Sequence, residues 1–346
     1  MTTYDVLLHV SRTRARVAGR RRAVTIGLAL AALLAFCLSL SVGDFTISLL
    51  RVLPAVFGSG ERGEVFVIQS LRLPRALLAV LVGAAFGMSG AVFQSLARNP
   101  LASPDVLGIT AGGSLAAVMG LTLLGLSGLP LSLAATIGAL LTAALIYGFA
   151  YRRGLSSYRL VLIGIGVGAV ATAMTQFFWT RAHTHDAASA ALWLSGSLNG
   201  RGWENIEPVA LMLLVLIPVT LALGKQLNVL ELGDDSATAI GVPVQRARLL
   251  LLVAGVALAG AGIGAAGPVA FVAFVSAPVA RRLARSPGPA LLPAALTGSV
   301  LVCVADLVGR TALASTEVSV GIITGIAGAP YLLWLLATTN SSGQGD

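Results

Sequence analysis

Charge is what this sequence has least of. Only 11% of its 346 residues are Asp, Glu, Lys or Arg, against about 25% in soluble globular chains, which excludes a water-soluble fold. Cysteine is nearly absent: Cys37 and Cys303 both fall inside apolar runs. They read as small core residues, which leaves neither a disulfide framework nor a redox centre. There are three histidines, of which His183 and His185 share one polar stretch and read as a solvated pair. No HExxH or cysteine-rich pattern occurs, so no metal site is expected. The GxxxxGK[ST] phosphate loop is also missing. The nearest string, Leu221-Ala-Leu-Gly-Lys225-Gln226, lacks the first glycine and the hydroxyl, so the chain does not hold ATP by that device.

What is present is apolar: 56% hydrophobic residues and a mean hydropathy of +0.90. Stretches free of Asp, Glu, Lys and Arg run over 23–43, 76–97, 106–151, 160–180, 208–224, 249–280, 286–305 and 318–345. A spanning helix needs roughly 20 residues. Six runs hold one helix each, 106–151 holds two with a turn at Gly125-Leu-Ser-Gly-Leu-Pro130, and 249–280 holds two short ones broken at Gly262-Ile-Gly-Ala-Ala-Gly-Pro268. The expected fold is an all-α polytopic membrane protein of about ten helices, with both termini on one side. If that side is the cytoplasm, it receives 16 of the 23 Lys and Arg and only 6 of the 14 acids. The positive-inside rule favours this orientation. The basic character is then a topology signal, and nucleic-acid binding is not expected. The organisation expected is a basic cytoplasmic segment at 1–22, a single transmembrane domain at 23–338 and a cytoplasmic tail at 339–346. The first apolar run resembles a signal peptide but lacks a small-x-small site before Asp44, and it reads as a retained helix.

Glycine is frequent, with 40 residues, and Gly83, Gly87 and Gly90 recur at spacings of four and three. Such a stripe lets helix backbones approach closely in lipid. The strings Arg72-Leu-Pro-Arg75 and Arg246-Ala-Arg248 open spans two and seven in similar fashion, as inverted repeats of five spans would.

Three segments depart from plain apolar packing. In Gln94-Ser-Leu-Ala-Arg98-Asn99-Pro100-Leu-Ala-Ser-Pro104-Asp105-Val-Leu-Gly108, two prolines four apart break any helix. Non-helical backbone beside a membrane must be buried or line a wet cavity, so a structured turn around Arg98, Asn99, Pro100 and Pro104 is expected. In Leu230-Glu231-Leu232-Gly233-Asp234-Asp235-Ser-Ala237-Thr-Ala-Ile240-Gly241-Val-Pro243, the glycines bracket a short helix over 234–240. Its first-turn aspartates suit the helix dipole, and it exposes Ala237, Ile240 and Val242 to a protein partner. Asp306 and Arg310, four apart in the ninth span, are either a functional intramembrane pair or a structural i, i+4 ion pair.

These segments together resemble the FecCD-type permeases of ABC importers, which take up iron–siderophores, haem and vitamin B12. The resemblance rests on Arg72-Leu-Pro-Arg75, Leu81-Val-Gly-Ala-Ala85, Ser89-Gly90, Gln94, Arg98-Asn-Pro-Leu-Ala102, Leu232-Gly-Asp-Asp235 with Gly241, Pro268-Val-Ala-Phe-Val272, Ala305-Asp306, Gly321 and Gly328-Ala-Pro330, in this order. It covers about 44–338. Within the family, Asn99-Pro-Leu-Ala-Ser-Pro-Asp105, Gly196-Ser-Leu-Asn-Gly200 and Gly233-Asp-Asp-Ser-Ala237 are most similar to the ferric catecholate (enterobactin) branch. Haem, ferrichrome-type and vitamin B12 cargoes are the alternatives within the family.

The resemblance implies the fold of a type II ABC importer permease, in the cytoplasmic (inner) membrane, and no cofactor on this chain. The implied partners are a second FecCD-type permease, forming a heterodimer, two ATPase subunits that hold ATP and Mg, an extracytoplasmic binding protein, a ferric siderophore and membrane lipid. Arg72, Arg75 and Arg310 match arginines that receive acidic residues of the binding protein. The loop 229–243, with Glu231, Leu232, Gly233, Asp234, Asp235, Ala237, Ile240 and Gly241, matches the coupling segment that rests on the ATPase. Leu155, Ser156 and Ser157 match an inner gate. Two departures stand out: no histidine follows Pro278, and Ser319 replaces the proline of Glu-Leu-Pro-Val-Gly.

Two other classes of function compete. An ion-coupled secondary transporter needs ionisable groups at mid-membrane, for which Asp306 is the candidate. An intramembrane enzyme needs a nucleophile with a base, or paired acids, and neither pattern is found in the spans.

Overall fold

A computed structural model describes residues 3–43, 45–151, 157–285, 288–312 and 317–340. The described residues are helices joined by short turns: α1 (Thr3–Ser41), α2 (Leu49–Val56), α3 (Arg62–Phe66), a π-helical turn (Val67–Arg72), α4 (Leu73–Ala97), α5 (Ile109–Leu124), α6 (Gly128–Ala150), α7 (Ser157–Arg181), α8 (Thr184–Leu194), α9 (Trp203–Leu230), α10 (Asp234–Ala239), α11 (Val244–Ala266), α12 (Val272–Ala284), α13 (Leu291–Thr311) and α14 (Val320–Asn340). Among these residues seven helical segments are long and apolar enough to cross a membrane, and α5 and Val320–Leu335 of α14 are shorter apolar helices. With the 13-residue α12, the expected ten are accounted for.

Two boundaries differ from expectation. The segment 62–97 is one continuous 36-residue helical run through α3, the π turn and α4; Arg62, Glu64 and Arg72 lie within it and do not interrupt it. The break between the seventh and eighth spans falls at Gly267–Phe271. Gly262 and Gly264 remain inside α11, where their bare backbones lie against Phe86 and Ser132. The short helices α2 and α8 lie within the polar stretches.

The bundle is organised around α4, which is buried along most of its length and flanked by α11, α12 and α13. The glycine stripe explains how. A Cβ on Gly83 would collide with the Gly298 carbonyl oxygen of α13, and one on Gly90 with the Ala273 carbonyl oxygen of α12. At this separation buried hydroxyls reach neighbouring backbones. Ser89 Oγ donates to Gly255 O at 2.6 Å and Ser299 Oγ to Val80 O at 2.8 Å. Gly90→Ala is expected to destabilise the protein by about 1–3 kcal/mol through overpacking, read as a lower unfolding midpoint in detergent. Gly27→Ala, with nothing within 4 Å of its added methyl, serves as the neutral control; an unshifted midpoint for Gly90→Ala refutes the close contact.

The helices α4 and α11 start at opposite ends of the bundle. Arg75, in the first turn of α4, pairs with Asp306, whereas Arg248, near the start of α11, lies at the other end beside Asp234. That antiparallel placement is what an inverted repeat requires. The start of α14 is secured where the sequence lacks the expected proline: the Ser319 and Ser195 hydroxyls lie 2.7 Å apart, and the Gly321 N–H donates to Gly196 O at 2.9 Å.

Candidate functional site

The Asp306 end brings together all three arginines singled out by the sequence. Arg72 is the last residue of the π turn and is buried. Its guanidinium wraps the turn after α1, donating to the carbonyls of Leu40 at 2.9 Å, Ser41 at 3.1 Å and Phe45. Arg75, one turn into α4, donates Nε to Asp306 Oδ1 and Nη1 to Glu317 Oε2, each at 2.9 Å. Arg310 Nε lies 3.2 Å from Asp306 Oδ2, and its Nη2 donates to Ser39 O at 3.2 Å. Asp306 therefore pairs with two arginines rather than one.

These groups border a cavity of about 400 Å³ whose lining also includes Asn199 and Arg201. Burial draws the Arg201 guanidinium below its ordinary pKa, with Glu204 acting against the shift; it stays a cation, as arginine does in proteins. The cavity thus concentrates cationic donors that suit carboxylates. Arg201 had no clear sequence signal; Glu317 opens the string that stands for Glu-Leu-Pro-Val-Gly, but its pairing with Arg75, 242 residues away, had none.

At the opposite end lies α10. Gly233, at φ +110°, turns the chain out of α9, and Gly241, at φ +88°, turns it toward α11. Asp234 Oδ1 takes Arg248 Nη2 at 2.8 Å and Arg98 Nη2 at 3.3 Å, fastening α10 to the start of α11 and the end of α4. Glu231 caps α9, and Asp235 is in the first turn of α10. The expected exposure of Ala237 and Val242 is corrected. Ala237 is 0% exposed and Val242 packs on the core, because a six-residue helix so fastened turns that face inward. The exposed apolar residues are Leu232 (66%) and Ile240 (65%).

The loop 98–108 is a structured turn. Arg98 adopts the left-handed C-cap conformation at φ +50°. Asn99 N–H donates to Gln94 O and Asn99 Oδ1 accepts from Leu101 N–H, while Leu107, Gly108 and Ile109 N–H groups bond to Ser103, Asp105 and Pro104 carbonyls. Pro100 and Pro104 thus sit where no N–H is needed. Gln94 links this turn to α12, donating to Phe274 O at 2.9 Å and accepting from Arg281. Leu155 and Ser156 lie outside the described residues, as does the side chain of Ser157, the first residue of α7.

A third feature is a cavity of about 550 Å³ between the 98–108 loop, α5, α7 and the Pro268–Phe274 segment. Thr172, Thr175, Gln176 and Trp179 line it from α7. Their spacing marks a polar stripe on an apolar helix, legible in the sequence.

With two chemically distinct ends joined by a small-residue core, the comparisons with known proteins decide the family. Residues 30–338 match the FecCD transport family. The chain belongs to that family. Among its FecCD relatives is the iron(3+)-hydroxamate import system permease protein FhuG of Bacillus subtilis, 39% identical over 88% of this chain and 94% of the relative. The ferric enterobactin transport system permease protein FepG of Escherichia coli is 38% identical over 85% of this chain and 89% of the relative. The fold matches a solved structure described as the inward-facing conformation of a metal-chelate type ABC transporter, with a TM-score of 0.82 and 27% identity, covering 92% of this chain and 99% of the other. This FecCD chain is a multi-pass membrane permease subunit of an ABC importer for iron-chelate, siderophore or vitamin B12 cargo, and ATP hydrolysis belongs to a separate ATPase.

Proposed function

We propose that the chain is one of two permease subunits carrying a ferric siderophore across the cytoplasmic membrane, with its α10 end and both termini in the cytoplasm. The observation that carries this reading is the pairing of Leu232 and Ile240, exposed and held outward by the Asp234 clamp, with an arginine-lined cavity at the far end. Residues 229–243 are the coupling segment on an ATPase that binds ATP and Mg, and residues 1–22 and 339–346 flank the single permease domain 23–338. Arg72, Arg75 and Arg310, with Arg201, face an acidic patch of a binding protein. Leu155, Ser156 and Ser157 form the inner gate.

Asp306 has two guanidinium partners, which leaves it poorly suited to carry a coupling ion and weakens the secondary-transporter reading. The catecholate-like strings favour a catecholate chelate and a heterodimer. The identity to FhuG over nearly the whole chain supports a hydroxamate chelate as the second reading.

The test is gentle solubilisation of tagged chain from native membranes, followed by identification of what co-purifies and uptake of radioactive iron on catecholate and hydroxamate carriers. An ATPase with a second, related permease is the expected result. An ATPase with this permease alone establishes a homodimer, and a lone chain, in detergents that keep other importers intact, overturns the assembly.

A further inference from the structure

The first helix outruns the membrane. α1 holds 39 residues, about 58 Å at 1.5 Å per residue, against roughly 30 Å of hydrocarbon. Ala23–Ser41 alone covers about 28 Å. Arg20 therefore stands at the hydrocarbon boundary, and Arg16, one turn further out, lies about 6 Å beyond it, within a headgroup layer some 5–8 Å deep. The same depth is marked independently on α14. Trp334 lies under Arg282 of α12, with 4.2 Å between the guanidinium carbon and the ring centre, and Tyr331 sits beside it. Aromatic rings gather at that level. Leu283 follows Arg282, and Arg20 Nε donates to Leu283 O at 3.1 Å. The ends of α1 and α12 are thus fastened together at headgroup depth.

Arg16, Arg20, Ala23, Gly27, Leu30 and Leu34 follow one another at spacings of four, three, four, three and four, and all six are exposed. That spacing is one face of a helix. A methyl added at Gly27 would meet nothing within 4 Å, so with Ala23 it leaves a shallow strip between the arginines and the two leucines. Arg20 spends only its Nε–H on Leu283, and both Nη groups stay available. Arg285, two residues past Leu283, is exposed and ends α12 at φ +43°. Among the described residues no ion pair involves Arg16, Arg20 or Arg285, and Arg281, in the last turn of α12, is committed to Gln94.

We propose that the arginine ends of α1 and α12 form a binding site for one anionic phospholipid. Its phosphate rests on Arg16, Arg20 and Arg285, and one acyl chain lies over Ala23 and Gly27 onto Leu30 and Leu34. Guanidinium groups suit a phosphodiester because their N–H donors match its oxygens two at a time. A zwitterionic lipid brings its own cation into the arginine cluster and is disfavoured there. A protein partner outside the membrane would meet Arg16 but not the strip at Gly27, whose surroundings are hydrocarbon. The site needs only that the chain spans a membrane, and it stands apart from the importer reading.

The test uses the purified full chain, stripped of lipid in a neutral detergent and titrated with dioleoyl phosphatidylglycerol or dioleoyl phosphatidylcholine, with bound lipid counted by native mass spectrometry. The anionic lipid is expected to bind about tenfold more tightly. Arg16→Gln, Arg20→Gln and Arg285→Gln together are expected to bring the two lipids within about twofold of each other. Arg51→Gln, Arg62→Gln and Arg181→Gln remove the same charge elsewhere and are expected to leave the preference intact. Arg20→Gln with Arg285→Gln repeats the measurement if the triple variant fails to accumulate. Gly27→Leu fills the strip and is expected to weaken both lipids alike, by about three- to fivefold.

Equal binding of the two lipids by the parent overturns the proposal, as does a preference lost equally in the control triple. Displacement of the lipid by millimolar glycerol 1-phosphate overturns it in favour of a plain anion site. A lipid preference that survives the arginine triple, with loss of a co-purifying protein in its place, assigns the surface to that protein.

Discussion

Asp306→Ala is expected to remove about 3–5 kcal/mol of stability, the effect of leaving buried charges without their counter-ion. The carboxylate is 1% exposed and its partners Arg75 and Arg310 are 12% and 9% exposed, so little water is at hand to replace it. Two guanidiniums would then face each other across α4 and α13, the helices that form the centre of the bundle. The outer partner behaves differently. Glu317 is 40% exposed, and Glu317→Ala is expected to change stability by no more than about 1 kcal/mol, as for a solvent-exposed pair.

A triple change of Arg75→Met, Asp306→Leu and Arg310→Met removes all three charges together. It is expected to recover most of the loss, since apolar groups of similar volume often replace a buried ionic cluster at little cost. Denaturant unfolding of the purified protein in one detergent checks the series. If Asp306→Ala unfolds within about 1 kcal/mol of the parent, the carboxylate is not the counter-ion of the pair. Recovery of stability without recovery of transport in the triple variant would assign the arginines to docking as well as to packing.

The same cluster shows what the sequence made legible and what it did not. The spacing of Asp306 and Arg310 is local, four residues on one helix, and the pair was readable as such. Arg75 joins Asp306 across 231 residues and Glu317 across 242; no periodicity reports a contact of that kind. The spans were legible because hydrocarbon enforces long charge-free runs, and the turn at 125–127 because glycine and proline punctuate it. The break falls at the end of the expected string, at Gly267 and Pro268, and not at its first glycines. Glycine reads as a breaker in water, but in this bundle Gly262 and Gly264 are contact surfaces for Phe86 and Ser132, and a packed neighbour outweighs their low helix propensity.

The reading of Ala237 as exposed failed for a related reason. The amphipathic pattern of 234–240 identified the helix but not which side the Asp234 clamp would turn inward. The polar side chains of α7, by contrast, recur at helical spacing in the sequence, at Thr172, Thr175, Gln176 and Trp179.

The second large effect belongs to that clamped segment. Leu232→Asp with Ile240→Asp is expected to leave the fold within about 0.5 kcal/mol of the parent, since both side chains are exposed and touch no special feature. Transport should nevertheless fall by more than about 100-fold, because two apolar anchors at the centre of an interface are each worth about 2 kcal/mol or more, and charge there also repels by desolvation. The measurement is the amount of ATPase retained on the tagged permease, together with ATP-driven uptake. Full retention with wild-type uptake would remove 229–243 from the coupling surface.

The positioning side of the same idea is tested by Arg248→Met. It keeps Leu232 and Ile240 in place of sequence but deprives Asp234 of its 2.8 Å partner. Retention of the ATPase with slowed uptake would then distinguish a segment that binds from one that must also be held rigid to transmit movement. Arg98, the other side-chain partner of Asp234, begins the loop that carries Asp105, so what is held rigid at the α10 end is covalently continuous with the wall of the cavity beside α7.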